Sequence, residues 1–166
     1  MKERTISRIS LISEYYYPAN NAPSARFKPL VEELSKYFEV NIYTSRISKD
    51  YQSKHLSCNF IPFPDNTKGI AFRLFFELLY AIETFIRLLF TSSDCYYITS
   101  PSFFNCISAA SYCIIFNKKY IVDIRDDYPR VFFDTGLLKR NSLAGRFLSW
   151  VEKSIYGKSL MVVAAT

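Results

Sequence analysis

The sequence is short of the residues on which several common chemistries depend. It has four glycines in 166 residues, and none lies in YYYPANNAPSAR, which joins the first apolar strand to the first helix. Dinucleotide-binding domains use glycines at that position to bring phosphate against the backbone, so the dinucleotide fingerprint is missing. The one histidine, His55, lies in the polar stretch YQSKHLS with no acid or cysteine beside it. It reads as a surface residue, and histidine-based catalysis draws no support from its neighbours. There is no G-x-S-x-G elbow, which argues against acyl hydrolysis. Four cysteines, Cys58, Cys95, Cys106 and Cys113, have neither the close pairing of a zinc site nor the density of a disulfide scaffold. They read as reduced core thiols, and neither a metal nor a resident cofactor is expected.

Long like-charge runs and low-complexity tracts are also missing, which excludes disorder and a coiled coil. The net charge of +6 is scattered rather than striped, so nucleic acid is not an expected partner, whereas an anionic membrane or a phosphorylated ligand is compatible. At the amino terminus, MKERTISRISLISEYYY is interrupted by Ser7, Arg8, Ser10 and Ser13. That run is too broken for a signal peptide, and a cytoplasmic location is expected.

What is present is apolar and aromatic: 49% hydrophobic and 17% aromatic residues, enough for one core over a single domain spanning 1–166. Apolar stretches RISLIS, EVNIYTS, CNFIPFP, DCYYITS, YIVDI and LMVVAA read as strands. Between most of them lie segments of helical period, including 70–90 and SLAGRFLSWVEKSIYG. The helix after the first strand carries Pro29, which fits only near a first turn. Alternating strands and helices predict an α/β, Rossmann-like domain with a mostly parallel sheet and helices on both faces. In such sheets ligands meet the loops beyond the carboxyl ends of the strands. Three loops qualify: YYYPANNAPSAR, TSPS and IRDDYP.

The segment 70–90 gathers Arg73, Glu77, Tyr80, Glu83, Thr84 and Arg87 on one arc of a helical wheel, with Arg73–Glu77 and Glu83–Arg87 spaced to pair. It is about 30 Å long, yet its four charges, at about 3 kcal/mol each, outweigh its Leu, Ile and Phe residues at about −0.5 each, so it should not span a bilayer. Two placements remain open. It is either buried between the sheet and a neighbour or lies at an interface with Phe and Leu against lipid.

In the third loop, alternation places Asp123, Arg125 and Asp127 on one strand face, and Asp123 with Arg125 reads as a structural ion pair or as part of a site. Asp126 lies at the strand's carboxyl end, where an acid can take a proton from a hydroxyl or bind sugar hydroxyls; the alternative is a helix cap.

PANNAPSARFKPLVEELSKYFEVNIYTS, DCYYITSPS, YIVDIRDDYP and RFLSWVEKSIYGKSLMVVAAT together resemble the amino-terminal, acceptor-binding half of retaining glycosyltransferases of the GT-B fold, the large family of lipopolysaccharide and capsule enzymes. Asn21 stands where that family has glycine and Asp123 where it has glutamate, and Asp127 and Tyr128 replace Leu-Trp. The resemblance implies transfer of a sugar from a nucleotide-sugar, the co-substrate, to a lipid-linked or saccharide acceptor in surface polysaccharide synthesis. It assigns Asn20, Asn21, Ala22 and Ser24 to a loop facing donor phosphate and acceptor, supported by Arg26. Ser100, Arg125 and Tyr128 join them as substrate-binding residues, and Asp126 as the catalytic residue. It further implies that the donor is bound by a carboxyl-terminal domain absent from this sequence, whose paired glutamates eight positions apart have no counterpart here. The chain alone is then not competent for transfer, and an acceptor carried on lipid would be met at the inner face of the plasma membrane. Two other classes stay open: a binding or membrane-docking module that keeps the fold without the reaction, and a Rossmann-type nucleotide binder.

Overall fold

The computed structural model describes residues 6–16, 22–45, 56–58, 70–100 and 102–164. Six strands form one sheet: β1 (Arg8–Ile12), β2 (Glu39–Thr44), β3 (Leu56–Cys58), β4 (Cys95–Thr99), β5 (Lys119–Ile124) and β6 (Met161–Ala164). They lie in the order β3-β2-β1-β4-β5-β6, and every pairing is parallel. This is the Rossmann-like α/β arrangement, in which the chain reverses direction across the sheet between β1 and β4.

The helices are α1 (Ala22–Leu34), α2 (Ile70–Leu89), α3 (Phe103–Ile115), α4 (Arg130–Asp134) and α5 (Leu143–Lys158). Strand alternation divides the core in two. On one face Phe27 and Val31 of α1 cover Ile9, Leu11, Val40 and Ile42. On the other, Leu88 of α2, Ala109 and Cys113 of α3 and Ile155 of α5 cover Ile12, Tyr96, Ile98, Tyr120 and Val122. Cys95, Cys106 and Cys113 are buried and unbridged, as their spacing implies, and burial pushes the Cys106 thiol up to about 12.

Two local expectations are corrected, and one short helix is added. Pro29 lies in the interior of α1 rather than its first turn. An interior proline costs a helix about 3 kcal/mol, and burial of Phe27 and Val31 on either side of it holds the helix against that cost. The third strand is Leu56–Cys58, ahead of most of the segment expected; residues 59–69 and His55 lie outside the described residues. Helix α4 has five residues, too few for a periodic signal.

Asn117 ends α3 in the left-handed region, with φ 49°, and the Lys118 N–H closes the turn on the Cys113 carbonyl at 2.8 Å. Gly145 is required where α5 begins. A Cβ there would lie 2.4 Å from the Lys139 carbonyl oxygen and 2.8 Å from that of Arg140.

Candidate functional site

The reversal between β1 and β4 opens a crevice at the carboxyl ends of β1, β4 and β5. Glu14 leaves β1 there. Its backbone carbonyl accepts hydrogen bonds from the Ser45 hydroxyl at 2.6 Å and the Ser45 N–H at 3.2 Å, which ties the exit of β1 to that of β2. The side chain is thereby held in place with the residue only 5% exposed. Burial, the largest cause, raises the carboxyl to about 7; a Tyr15 hydrogen bond and Arg73 oppose the rise, and the charges of Glu77 and Asp126 add to it.

Glu77 reaches the crevice from α2 and is 6% exposed. Its Oε1 accepts from the Ser102 hydroxyl at 3.1 Å. The N–H groups of Phe103 and Phe104 donate to the same carboxylate, which also feels Arg73. Ser102 occupies the N-cap of α3 without a capping bond of its own. Glu77 therefore caps α3 from a neighbouring helix, where the orphan N–H groups and the helix dipole favour an anion. Burial outweighs these donors and raises the Glu77 carboxyl above its ordinary range.

At the exit of β5, the Ser100 hydroxyl accepts the Arg125 N–H at 2.8 Å and the Asp126 N–H at 3.4 Å. The turn is thereby fixed with the Asp126 side chain exposed. Tyr128 follows and stacks on Phe103 at 5.3 Å between ring centroids. Burial raises its hydroxyl, and Asp126 and Glu77 add to that rise. A groove of about 440 Å³ is lined by Arg73, Glu77 and Tyr128 together with Val131, Phe132 and Leu138. Its lining is thus mostly apolar and includes a cation and a carboxyl group from α2.

The residues expected from sequence fall into two groups. Asp126 and Tyr128 join the crevice. Arg125 turns back toward α1: its guanidinium pairs with Asp123 at 3.4 Å and lies over the Phe27 ring at 4.7 Å. Tyr97 is on that side too, its hydroxyl pushed up to about 12 by burial and by the charge of Asp123, with Arg125 and Arg26 opposing. The exposed Arg26 therefore belongs to the α1 side. Ser100 lies behind the Asp126 turn as its brace. Ala22 and Ser24 are in the first turn of α1, with side chains outside the described residues, as are Asn20 and Asn21 altogether.

Sequence reading passed over Glu14 and took Glu77 only as a partner for Arg73. The available signal for Glu14 was an acid directly after the first apolar strand; its weight depends on strand order, which places β1 at the reversal. On α2 the expected Arg87–Glu83 pair is present at 2.8 Å, and the polar arc is the inward one: Glu77, Tyr80 and Thr84 are buried. Phe75, Leu78, Ile82, Ile86 and Leu89 form an exposed apolar stripe instead. Among the described residues no helix is long and apolar enough to cross a membrane. No family model matches the chain, and no curated protein matches it.

Proposed function

We propose that the chain is the acceptor-binding half of a sugar transferase. It would hold a lipid-linked saccharide while a second domain, in the same protein or another, presents the nucleotide-sugar. The observation that carries this reading is the meeting, at one crevice, of an exposed carboxylate (Asp126), a buried carboxyl poised near neutrality (Glu14) and the mostly apolar groove that Tyr128 helps to line. A saccharide offers hydroxyls that the carboxylates can accept; an acyl or isoprenyl tail offers apolar surface to Val131, Phe132 and Leu138. Asp126 takes or shares the proton of the attacking hydroxyl, and Tyr128 lies against the sugar-bearing end. The likeness of the loops to retaining transferases supports the same assignment, and the lipid-borne acceptor suits a protein working at the cytoplasmic membrane surface.

The test is retention. Immobilised chain is washed with a membrane lipid extract, and bound lipids are identified by mass spectrometry. Saccharide lipids retained by the wild type and lost by Asp126→Asn support the reading; retention of none opposes it.

A second reading has its own support in the outward apolar stripe of α2. On that reading the fold is a membrane-docking module without the reaction, and sedimentation with vesicles would persist while no saccharide lipid is selected.

A further inference from the structure

Helix α5 carries a second uncovered apolar face, away from both the crevice and α2. Leu143, Phe147 and Trp150 are 87%, 58% and 63% exposed, and their spacing of four and three residues sets them on one stripe. Phe147 and Trp150 lie with ring centroids 6.1 Å apart, while Val151 and Ile155 on the adjoining, inward-turned side are buried in the sheet core. The stripe is therefore not a frayed end of the core. It is an outer face of a helix already anchored through its inner one.

Charge decides what such a face suits. Over 139–158 the chain has five cations, Lys139, Arg140, Arg146, Lys153 and Lys158, against one carboxylate, Glu152. Helical geometry places Arg146 and Lys153 along one margin of the stripe and Lys158 along the other, with Glu152 on the inward side. Lys139 and Arg140 lie in the turn on which Gly145 is packed, their carbonyls 2.4 and 2.8 Å from where its Cβ would be. That close packing holds them beside the first turn. Aromatic and leucine side chains rimmed by cations match the boundary of a bilayer, where rings sit among acyl chains and cations meet phosphates.

We infer that this face of α5 docks on an anionic phospholipid surface, with Phe147 and Trp150 entering the acyl boundary and Arg146, Lys153 and Lys158 contacting lipid phosphates. The inference stands without the sugar-transfer reading, since it rests on α5 alone.

Trp150 is the sole tryptophan, so intrinsic fluorescence reports on the proposed face directly. On addition of phosphatidylglycerol vesicles its emission moves to the blue and is quenched by lipids brominated in their chains. Phosphatidylcholine vesicles leave it unchanged. Arg146→Glu with Lys153→Glu weakens binding at least about tenfold, since each cation near an anionic surface is worth about fivefold. Phe147→Ser weakens it while circular dichroism remains that of the wild type, and Phe75→Ser with Ile82→Ser on α2 leaves the Trp150 shift in place. Unchanged emission from a chain that floats with the vesicles would show that another face meets the bilayer and would overturn the inference. So would a failure to float at all, or an equal response to phosphatidylcholine. Emission already blue before vesicles, from a sample with the mass of a dimer, would mean that a second copy covers the stripe, and would overturn it equally.

Discussion

The Ser102 hydroxyl donates to Oε1 of Glu77 at 3.1 Å, so a carboxylate of α2 closes the amino terminus of α3. With it the two helices are locked at the end that borders the crevice, and the Ala81 carbonyl, accepting from the Ser108 hydroxyl at 2.6 Å, adds a second tie along the same interface.

Removing the Glu77 carboxylate leaves the Ser102 hydroxyl and two N–H groups without their acceptor. Glu77→Ala should therefore lower stability by about 2–3 kcal/mol, a buried unsatisfied donor costing about 1–3. Glu77→Gln keeps an acceptor for Ser102 and should lose less. Urea unfolding with unchanged slope and a shifted midpoint is the expected result; an unmoved midpoint in Glu77→Ala would deny the cap.

Glu14 gives the stability curve a definite sign. Its folded carboxyl is raised from 4.5 to about 7, so between those values the folded state holds a proton that the unfolded state has released. Its contribution is fully present below about 4.5 and is lost as pH rises through about 7. Glu14→Gln stays neutral throughout. The variant should match the wild type near pH 4 and exceed it at pH 8 by about 3 kcal/mol, several degrees in Tm. Thermal melts of both proteins across this range check it, and parallel curves would contradict the buried, proton-holding state.

Side chains of the α2 stripe are open on their outer side, so Phe75→Ser with Ile82→Ser should leave Tm nearly unchanged. If α2 is itself the docking face it should also cut sedimentation with anionic vesicles, whereas docking through α5 leaves sedimentation unchanged. Phe76 is half-buried and packs against Phe72 at 4.4 Å between centroids, so its replacement would confuse folding with docking. Sedimentation unaltered in a folded variant removes α2 from the membrane contact.

Sugar transfer requires donor pyrophosphate and acceptor hydroxyl held together in a water-poor cleft, an effect worth about 7–11 kcal/mol of barrier. On the proposed reading this chain supplies one wall of that cleft. Alone it should show no turnover with a panel of nucleotide-sugars and should bind them no tighter than about millimolar. Steady transfer above a no-protein control, abolished by Asp126→Asn, would place a complete site within these residues.

Much of the fold is legible in sequence because its period is strong. The apolar runs RISLI, EVNIYT and KYIVDI each become buried strands. The crevice is less legible, since Asp126 could be chosen from its position after a strand, but Glu14 gains meaning only when β1 and β4 become neighbours with opposite onward paths. Arg125 was legible in part. Alternation sets it on the face of Asp123, and the ion pair that was one of the two alternatives forms at 3.4 Å; its place over the Phe27 ring has no signal in the sequence, because it depends on how α1 packs on the sheet. The direction of α2 was hidden because amphipathicity fixes an axis and leaves the buried side to whatever the neighbour offers; here α3 offers N–H groups to Glu77.

The affinity of the chain for a lipid-linked saccharide in detergent micelles bears most directly on the proposed role. The wild type should bind, and Asp126→Asn and Leu138→Glu should each bind at least about tenfold weaker, the loss of one charged hydrogen bond or of apolar burial being worth about 1.4 kcal/mol or more. Both variants should melt with the wild type. No binding by the folded wild type, or an affinity that neither substitution moves, would contradict an acceptor site at this crevice.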